Sequence, residues 1–487
     1  MLFNSYEFIF AFLPITFFIY FYLNHKRLTG ASKGFLVFSS LFFYSWLNVA
    51  YLPIILSSML FNYIIGNGLN DEKGHNRFSK KTILTFGVIS NIALFGYFKY
   101  TDFFIENVNL LTDGYVPTLD LALPLAISFF TFQQISYLFD SYRQETKEYD
   151  FLNYALFVTF FPQLIAGPIV HHKEMMPQFA KTRNKVKRYR NIAMGLFIFS
   201  IGLFKKVVIA DTFAVWATAG FDTATTLNLF EAWATSLSYT FQLYFDFSGY
   251  TDMAIGAALL FNIKLPINFN SPYKATDIQD FWRRWHITLS RFLKDYVYIP
   301  LGGNRKGEFR TYNNLLATFI IGGIWHGAGW TFVFWGFLHG IALVIHRAWS
   351  KLGFRLWAWL AWLITFNFIN IAWVFFRAEE WGDAVKVLGA MFSLDDIILP
   401  DKLGRKLSFL NSYGVEFGAW AGDIYGTNWT AIWIMFGFII ILMFKNSIKK
   451  LEKFKANAIT AFYISYLLYY SFISMISKNS EFLYFNF

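Results

Sequence analysis

The chain has 487 residues, 56% of them hydrophobic and only 15% charged, with 62 phenylalanines and a mean hydropathy of +0.40. A soluble protein of this size carries roughly 25% charged residues, so this much apolar surface points to lipid as the solvent. The sequence contains no cysteine, which excludes disulfides, zinc–thiolate sites and thiol catalysis.

A helix needs about 20 mostly apolar residues to cross the hydrocarbon core. In chain order the candidate spans are 5–23, 35–49, 52–67, 82–99, 191–210, 229–261, 313–348, 356–376, 429–445 and 457–476. The first lacks a basic flank and a small-residue cleavage site, so it reads as a retained segment rather than a signal peptide. The stretches 121–139 and 151–170 are apolar but broken by Pro124, Pro162, Gly167 and Pro168, as full spans or re-entrant segments. Together these predict an all-α, polytopic membrane bundle of about 10–13 segments, organised as one domain over 1–487. The longest stretch outside the spans, 377–428, has more acids than bases and reads as an amphipathic loop on the outer face.

The net charge of +11 is distributed as a membrane protein distributes it, which argues against a nucleic-acid partner. Lys26, Arg27 and Lys33 follow the first span, and Lys73, Arg77, Lys80 and Lys81 precede the fourth. Residues 171–190 carry seven Lys and Arg against one Glu, and Lys445, Lys449, Lys450, Lys453 and Lys455 cluster after 445. The intervening loops reverse the sign: 101–123 holds four acids and no base, and 211–228 only Asp211 and Asp222. Basic loops stay in the cytoplasm, which places the N-terminus outside it.

Two regions break the apolar pattern. Within 229–261 lies Tyr244-Phe245-Asp246-Phe247-Ser248-Gly249-Tyr250-Thr251-Asp252. A carboxylate at membrane depth costs about 2.5–3.5 kcal/mol on insertion scales and faces a cavity or a partner. Asp246 therefore reads either as part of a polar cavity wall or as one half of an ion pair, and Asp252 as the more structural of the two; Gly249 is a candidate bend. The second region is 262–348. Trp282, Trp285, Leu289 and Phe292 recur at helical spacing, with Arg283, Arg284, Arg291 and Lys294 on other faces. That pattern describes an aromatic, basic amphipathic helix at the cytoplasmic interface, with His286 inside it and the arginines on lipid headgroups. Further on, Gly322-Gly323-Ile324-Trp325-His326-Gly327-Ala328-Gly329 separates helices expected at 313–324 and 330–347. Non-helical backbone at this depth is tolerated only inside protein or along a cavity, and an imidazole there is a candidate general base or a helix-capping histidine. His339 and His346 are weaker candidates, the first bonding within its helix pair and the second at a basic helix end. No HExxH, paired His–carboxylate spacing, Walker loop or GxGxxG motif is present, so neither a metal site nor ATP-driven transport is expected.

At these motifs the chain resembles the membrane-bound O-acyltransferase family, and within it the bacterial branch that includes the alginate O-acetyltransferase membrane subunit. The resemblance also covers the N-terminal Met-Leu-Phe-Asn-Ser, 124–132, 161–169, 245–256, 268–273, 281–286 and 323–327, so it runs along nearly the whole chain. It implies a helical bundle around a funnel or tunnel, with the catalytic region at about 229–348. It implies His326 as the catalytic histidine and His286 as the second, more variable polar position. Asp246, Ser248, Tyr250, Asn268 and Trp325 are the expected lining, and Trp325 and Trp330 would exclude water. The implied chemistry moves an acyl group from a cytoplasmic thioester, acetyl-CoA being the candidate, whose phosphates Arg283 and Arg284 would meet. The implied setting is the bacterial inner membrane, with an exported, alginate-like polysaccharide as acceptor and an extracytoplasmic hydrolase-like acetyltransferase as partner. Transfer to peptidoglycan or teichoic acid is the rival within the family. A transporter or flippase without acyl chemistry is the rival outside it, and the absence of an inverted repeat counts against that one.

Overall fold

The computed structural model describes residues 1–70, 78–112, 114–146, 150–477 and 483; Lys73, Arg77 and Asp113 lie outside them. Among these residues seven helices are long and apolar enough to cross a membrane: α1 (Glu7–His25), α3 (Val49–Asn70), α4 (Lys80–Thr112), α7 (Tyr189–Thr223), α12 (Trp330–Lys351), α13 (Ala358–Arg377) and α16 (Ala458–Ile476). Between them come α2 (Thr29–Ser45), α5 (Ile127–Tyr142), α6 (Phe151–Thr159), α8 (Leu229–Leu260), α9 (Ile278–Arg284), α10 (Ile287–Leu293), α11 (Glu308–His326), α14 (Trp381–Phe392) and α15 (Asn428–Met443). The segments expected beyond the seven are shorter, broken or more polar. The stretch 151–170 gives a nine-residue α6 followed by irregular backbone, and everything from 154 to 172 is buried in protein, as such backbone at this depth must be.

The protein is built around α8. Every residue of α8 is buried except Leu229, Phe230, Trp233 and Leu237, which a helix apolar on all sides requires. Asn228 caps its start by accepting from the Phe230 and Glu231 N–H groups, while Glu231 returns the bond to Asn228 N–H. Gly249 does not bend α8. It is where the α7 backbone arrives, because a Cβ there would stand 2.8 Å from Gly202 O. Small residues at such crossings let transmembrane helices approach closely.

The region 377–428 is more ordered than a loop. In α14, Ala384, Val387 and Met391 bury one helical stripe. Strands β1 (Ile397–Pro400) and β2 (Val415–Gly418) then pair in parallel, Ile397 opposite Val415. Met391 O accepts from Trp233 Nε1, and Asp396 O from Leu229 N–H, which ties this region to the start of α8.

Candidate functional site

Helix α11 runs from Glu308, paired with Arg347 and Lys351 at the end of the bundle that carries the basic loops, to His326 at the other end. The helix between them is 19 residues long and rises about 1.5 Å per residue. The helix includes the Gly322–His326 segment expected to be irregular, so the non-helical turn is only Gly327–Gly329. The glycines serve packing rather than substrate access. A Cβ on Gly323 would lie 2.3 Å from Phe332 O, one on Gly336 2.4 Å from Phe319 O, and one on Gly327 inside the Phe332 ring. They let α11 and α12 touch backbone to backbone and so fix where His326 ends up.

The last turn of a helix leaves carbonyls without intrahelical partners. Here α4 supplies them. Lys99 Nζ donates to Trp325 O at 2.9 Å and to His326 O at 2.7 Å, and Tyr100 OH donates to Ile324 O. A cation at a helix C-terminus also opposes the negative end of the dipole. Lys99 escaped the sequence reading, although a lysine inside the apolar segment 82–99 is the kind of signal that marks a functional position.

His326 is 5% exposed and packed among Trp325, Trp335 and Phe376, with ring centroids at 4.7, 5.2 and 5.0 Å. Trp325 stacks on Phe132 at 4.9 Å and reaches the His286 ring at 6.4 Å, so it stands between the two histidines. His286 is fully buried, and it breaks the amphipathic helix expected over 278–294. Its φ of +43° ends α9 and starts α10 in a new direction. Asn268 Oδ1 holds this corner, accepting from Thr288 N–H at 3.1 Å and Thr288 Oγ1 at 2.9 Å, with His286 Nδ1 at 3.2 Å. A backbone N–H only donates, so the facing atom is the amide oxygen and His286 carries its proton on Nδ1.

The aromatic side of that expected helix is core, not membrane surface: Trp282, Trp285, Leu289 and Phe292 are all buried. Its arginines differ from one another. Arg284 pairs with Asp280 and Arg291 with Glu174, whereas Arg283 lines a cavity with Lys294, His346 and Arg347. That cavity, of about 410 Å³, opens at the basic end and reaches Trp282. A second cavity of about 310 Å³ at the opposite end is lined by Asn48, Tyr51, Lys99, Ser128, Trp325 and His326. Rings join the two, Trp282 to Trp335 at 5.9 Å and Trp335 to His326 at 5.2 Å. Trp330 does not close the site; it is 62% exposed and donates to Asn107.

The carboxylates of α8 face α7 instead. Lys206 lies 2.6 Å from Asp246 and 2.8 Å from Asp211, and Lys205 lies 2.7 Å from Asp252, which also accepts from Ser447. Ser248 is 3.4 Å from Lys205 Nζ, and Tyr250 stacks on Phe3. The two lysines open a π-helical segment, Lys205–Ala210, within α7. The structure thus gathers His326, Trp325, His286 and Asn268 into one cluster and sets Asp246 and Ser248 in an ion-paired one. Among the described residues, no group of three or more histidines and acids is placed to hold a metal ion.

The fold is thus that of a multi-pass helical protein with buried imidazoles between cavities that approach from its two ends. The chain belongs to the membrane-bound O-acyltransferase family, whose profile matches residues 78–378. It is therefore an enzyme, an O-acyltransferase, rather than a transporter. It is 56% identical to a peptidoglycan O-acetyltransferase of Helicobacter pylori over 84% of this chain and 83% of the relative. It is 41% identical to the probable alginate O-acetylase AlgI of Pseudomonas aeruginosa, over 81% of this chain and 75% of the relative. A teichoic acid D-alanyltransferase of Streptococcus thermophilus is 29% identical over 47% of this chain and 57% of its own length.

Proposed function

We propose that the chain takes an acetyl group from a cytoplasmic coenzyme A thioester and passes it across the membrane for O-acetylation of a polysaccharide outside. The observation that carries this reading is the position of His326 where rings from the basic-end cavity meet the lining of the opposite cavity. The phosphates of coenzyme A suit Arg283, Lys294 and Arg347, and the thioester end alone needs to reach the aromatic core. The attacking hydroxyl loses its proton to His326, with His286 as the second imidazole of the site. Buried Trp325 and Trp335 keep water from the thioester, which limits hydrolysis. The immediate acceptor is the polymer or a serine of a hydrolase-like partner outside the inner membrane.

The similarity to the peptidoglycan enzyme, at 56%, exceeds that to the alginate enzyme, at 41%, and favours a wall polymer over an alginate-like one. Deleting the gene and measuring O-acetyl esters on muropeptides and on exopolysaccharide separates the two, since only the true acceptor loses its esters. Proteoliposomes given acetyl-CoA labelled in both halves test the transfer itself. Acetyl label on the far side with the coenzyme left behind is the expected result, and coenzyme label crossing the bilayer would sink the proposal. A cysteine at Thr118 reacting with an impermeant maleimide in spheroplasts, and one at Lys185 reacting only after lysis, is the expected orientation. The opposite pattern would invert it.

A further inference from the structure

Two buried N–H groups beside His326 have no acceptor among the described residues. The first is on His339, which is fully buried. Trp282 Nε1–H, which can only donate, lies 3.2 Å from His339 Nδ1. Nδ1 is therefore the accepting nitrogen, and the neutral ring carries its hydrogen on Nε2. His339 Nε2 has no hydrogen-bond partner among the described residues, and neither has Trp335 Nε1, an indole N–H that is 2% exposed. Buried donors are nearly always satisfied, because an unmet one keeps the full cost of its desolvation. These two stand one turn apart on α12, with ring centroids 4.8 Å apart, and the Trp335 ring lies 5.2 Å from His326. Among the described residues, no carboxylate is in hydrogen-bonding or ion-pairing contact with either of them.

A pair of neutral donors buried among aromatic rings suits an oxygen that becomes negative during a reaction. We propose that His339 Nε2–H and Trp335 Nε1–H bind the carbonyl oxygen of the acyl thioester and hold its charge during transfer. This rests on the acyl-transfer reading above. When the acceptor hydroxyl attacks the carbonyl carbon, His326 takes the hydroxyl proton and the C=O electron pair moves onto the oxygen between the two donors. The pair returns to re-form the carbonyl as the C–S bond breaks. The departing sulfur takes the proton from His326, leaving an ester and a free thiol. Two donors matter because the oxyanion presents more than one lone pair, and donors fixed in place need no reorganisation as the charge develops.

The test uses the full chain in nanodiscs, with His326→Ala to prevent turnover and acetyl-CoA carrying a ¹³C carbonyl as the probe. Isotope-edited infrared spectra should place the bound carbonyl band at lower wavenumber than in free acetyl-CoA. His339→Leu and Trp335→Phe should each move it back towards the free value, while His339→Gln, which keeps a donor, should retain the shift. With His326 intact, His339→Leu should lower kcat about a hundredfold and leave KM within about threefold. A purely structural role would not move the carbonyl band. A band unmoved by both replacements, or a loss confined to KM, overturns the donor pair. A chain that binds no acetyl-CoA at all, with native gel-filtration behaviour, overturns the acyl-transfer reading and this proposal with it.

Discussion

Two buried polar systems lie side by side in this bundle, and they are built on opposite rules. Between α7 and α8, Lys205, Lys206, Asp211, Asp246 and Asp252 meet as charges of opposite sign. Around His326, the imidazoles of His286 and His339 sit among tryptophans and phenylalanines, and the nearest ammonium, Lys99, is committed to backbone carbonyls. Charges that satisfy one another fasten helices together. Imidazoles held among aromatic rings, placed where cavities approach from two sides, are suited to chemistry. A buried carboxylate is thus the more conspicuous residue in the sequence and the less reactive one in the fold.

The sharpest way to break this contrast is His326→Ala. Transfer should fall by about 10³-fold or more while the protein stays monodisperse with an unchanged melting temperature. His286→Ala should cost less; a larger loss there than at His326 would exchange their roles. Lys206→Met should do the reverse, because it strands Asp246 and Asp211 without their cation. Breaking a buried pair from one side costs about 3–5 kcal/mol, so thermal stability in detergent should collapse. The specific activity of the folded remainder should stay near wild type, and activity lost without a drop in melting temperature would erase the distinction.

Lys99 stands between the two systems, charged yet part of the histidine's support. Lys99→Met should lower activity about tenfold with a modest loss of stability, and Lys99→Arg should recover part of it. Equal activity in Lys99→Met and wild type would show that the carbonyls of α11 need no cap. The smallest effect is expected at Glu308. Hydrogen bonds from Arg347 and Lys351 hold its carboxyl at about 2, below the usual glutamate range. Such a depressed group stabilises above its unfolded pKa and loses that contribution as pH falls towards 2. As an exposed pair it contributes little. Melting curves of Glu308→Gln and wild type should therefore run parallel from pH 5 to 9, and a gap that opens above pH 6 would contradict this.

Much of this is legible in the sequence alone. Apolar length gave the helices, and the carboxylates in 229–261 and the histidine at 326 stood out by breaking an apolar run. What stayed hidden depends on contacts far apart in the chain. Trp282, Trp285, Leu289 and Phe292 fit one continuous amphipathic helix, and nothing local says that Asn268 will hold His286 in a left-handed conformation and split it. The glycines around His326 suggest an open turn until α12 is seen to fill them. Lys205 and Lys206 sit in an apolar run as plainly as Asp246 does, but only packing reveals that they belong together.

The Lys99 cap also bears on how the chain is made. Its acceptors lie 226 and 227 residues downstream. While the N-terminal half emerges, the ammonium of α4 has none of these partners, and placing it in hydrocarbon costs about 2.5–3.5 kcal/mol. Helix α4 is accordingly weakly held until α11 has been synthesised and inserted. A nascent or truncated chain ending before 324 therefore carries the lysine of α4 without the carbonyls that seat it in the finished fold.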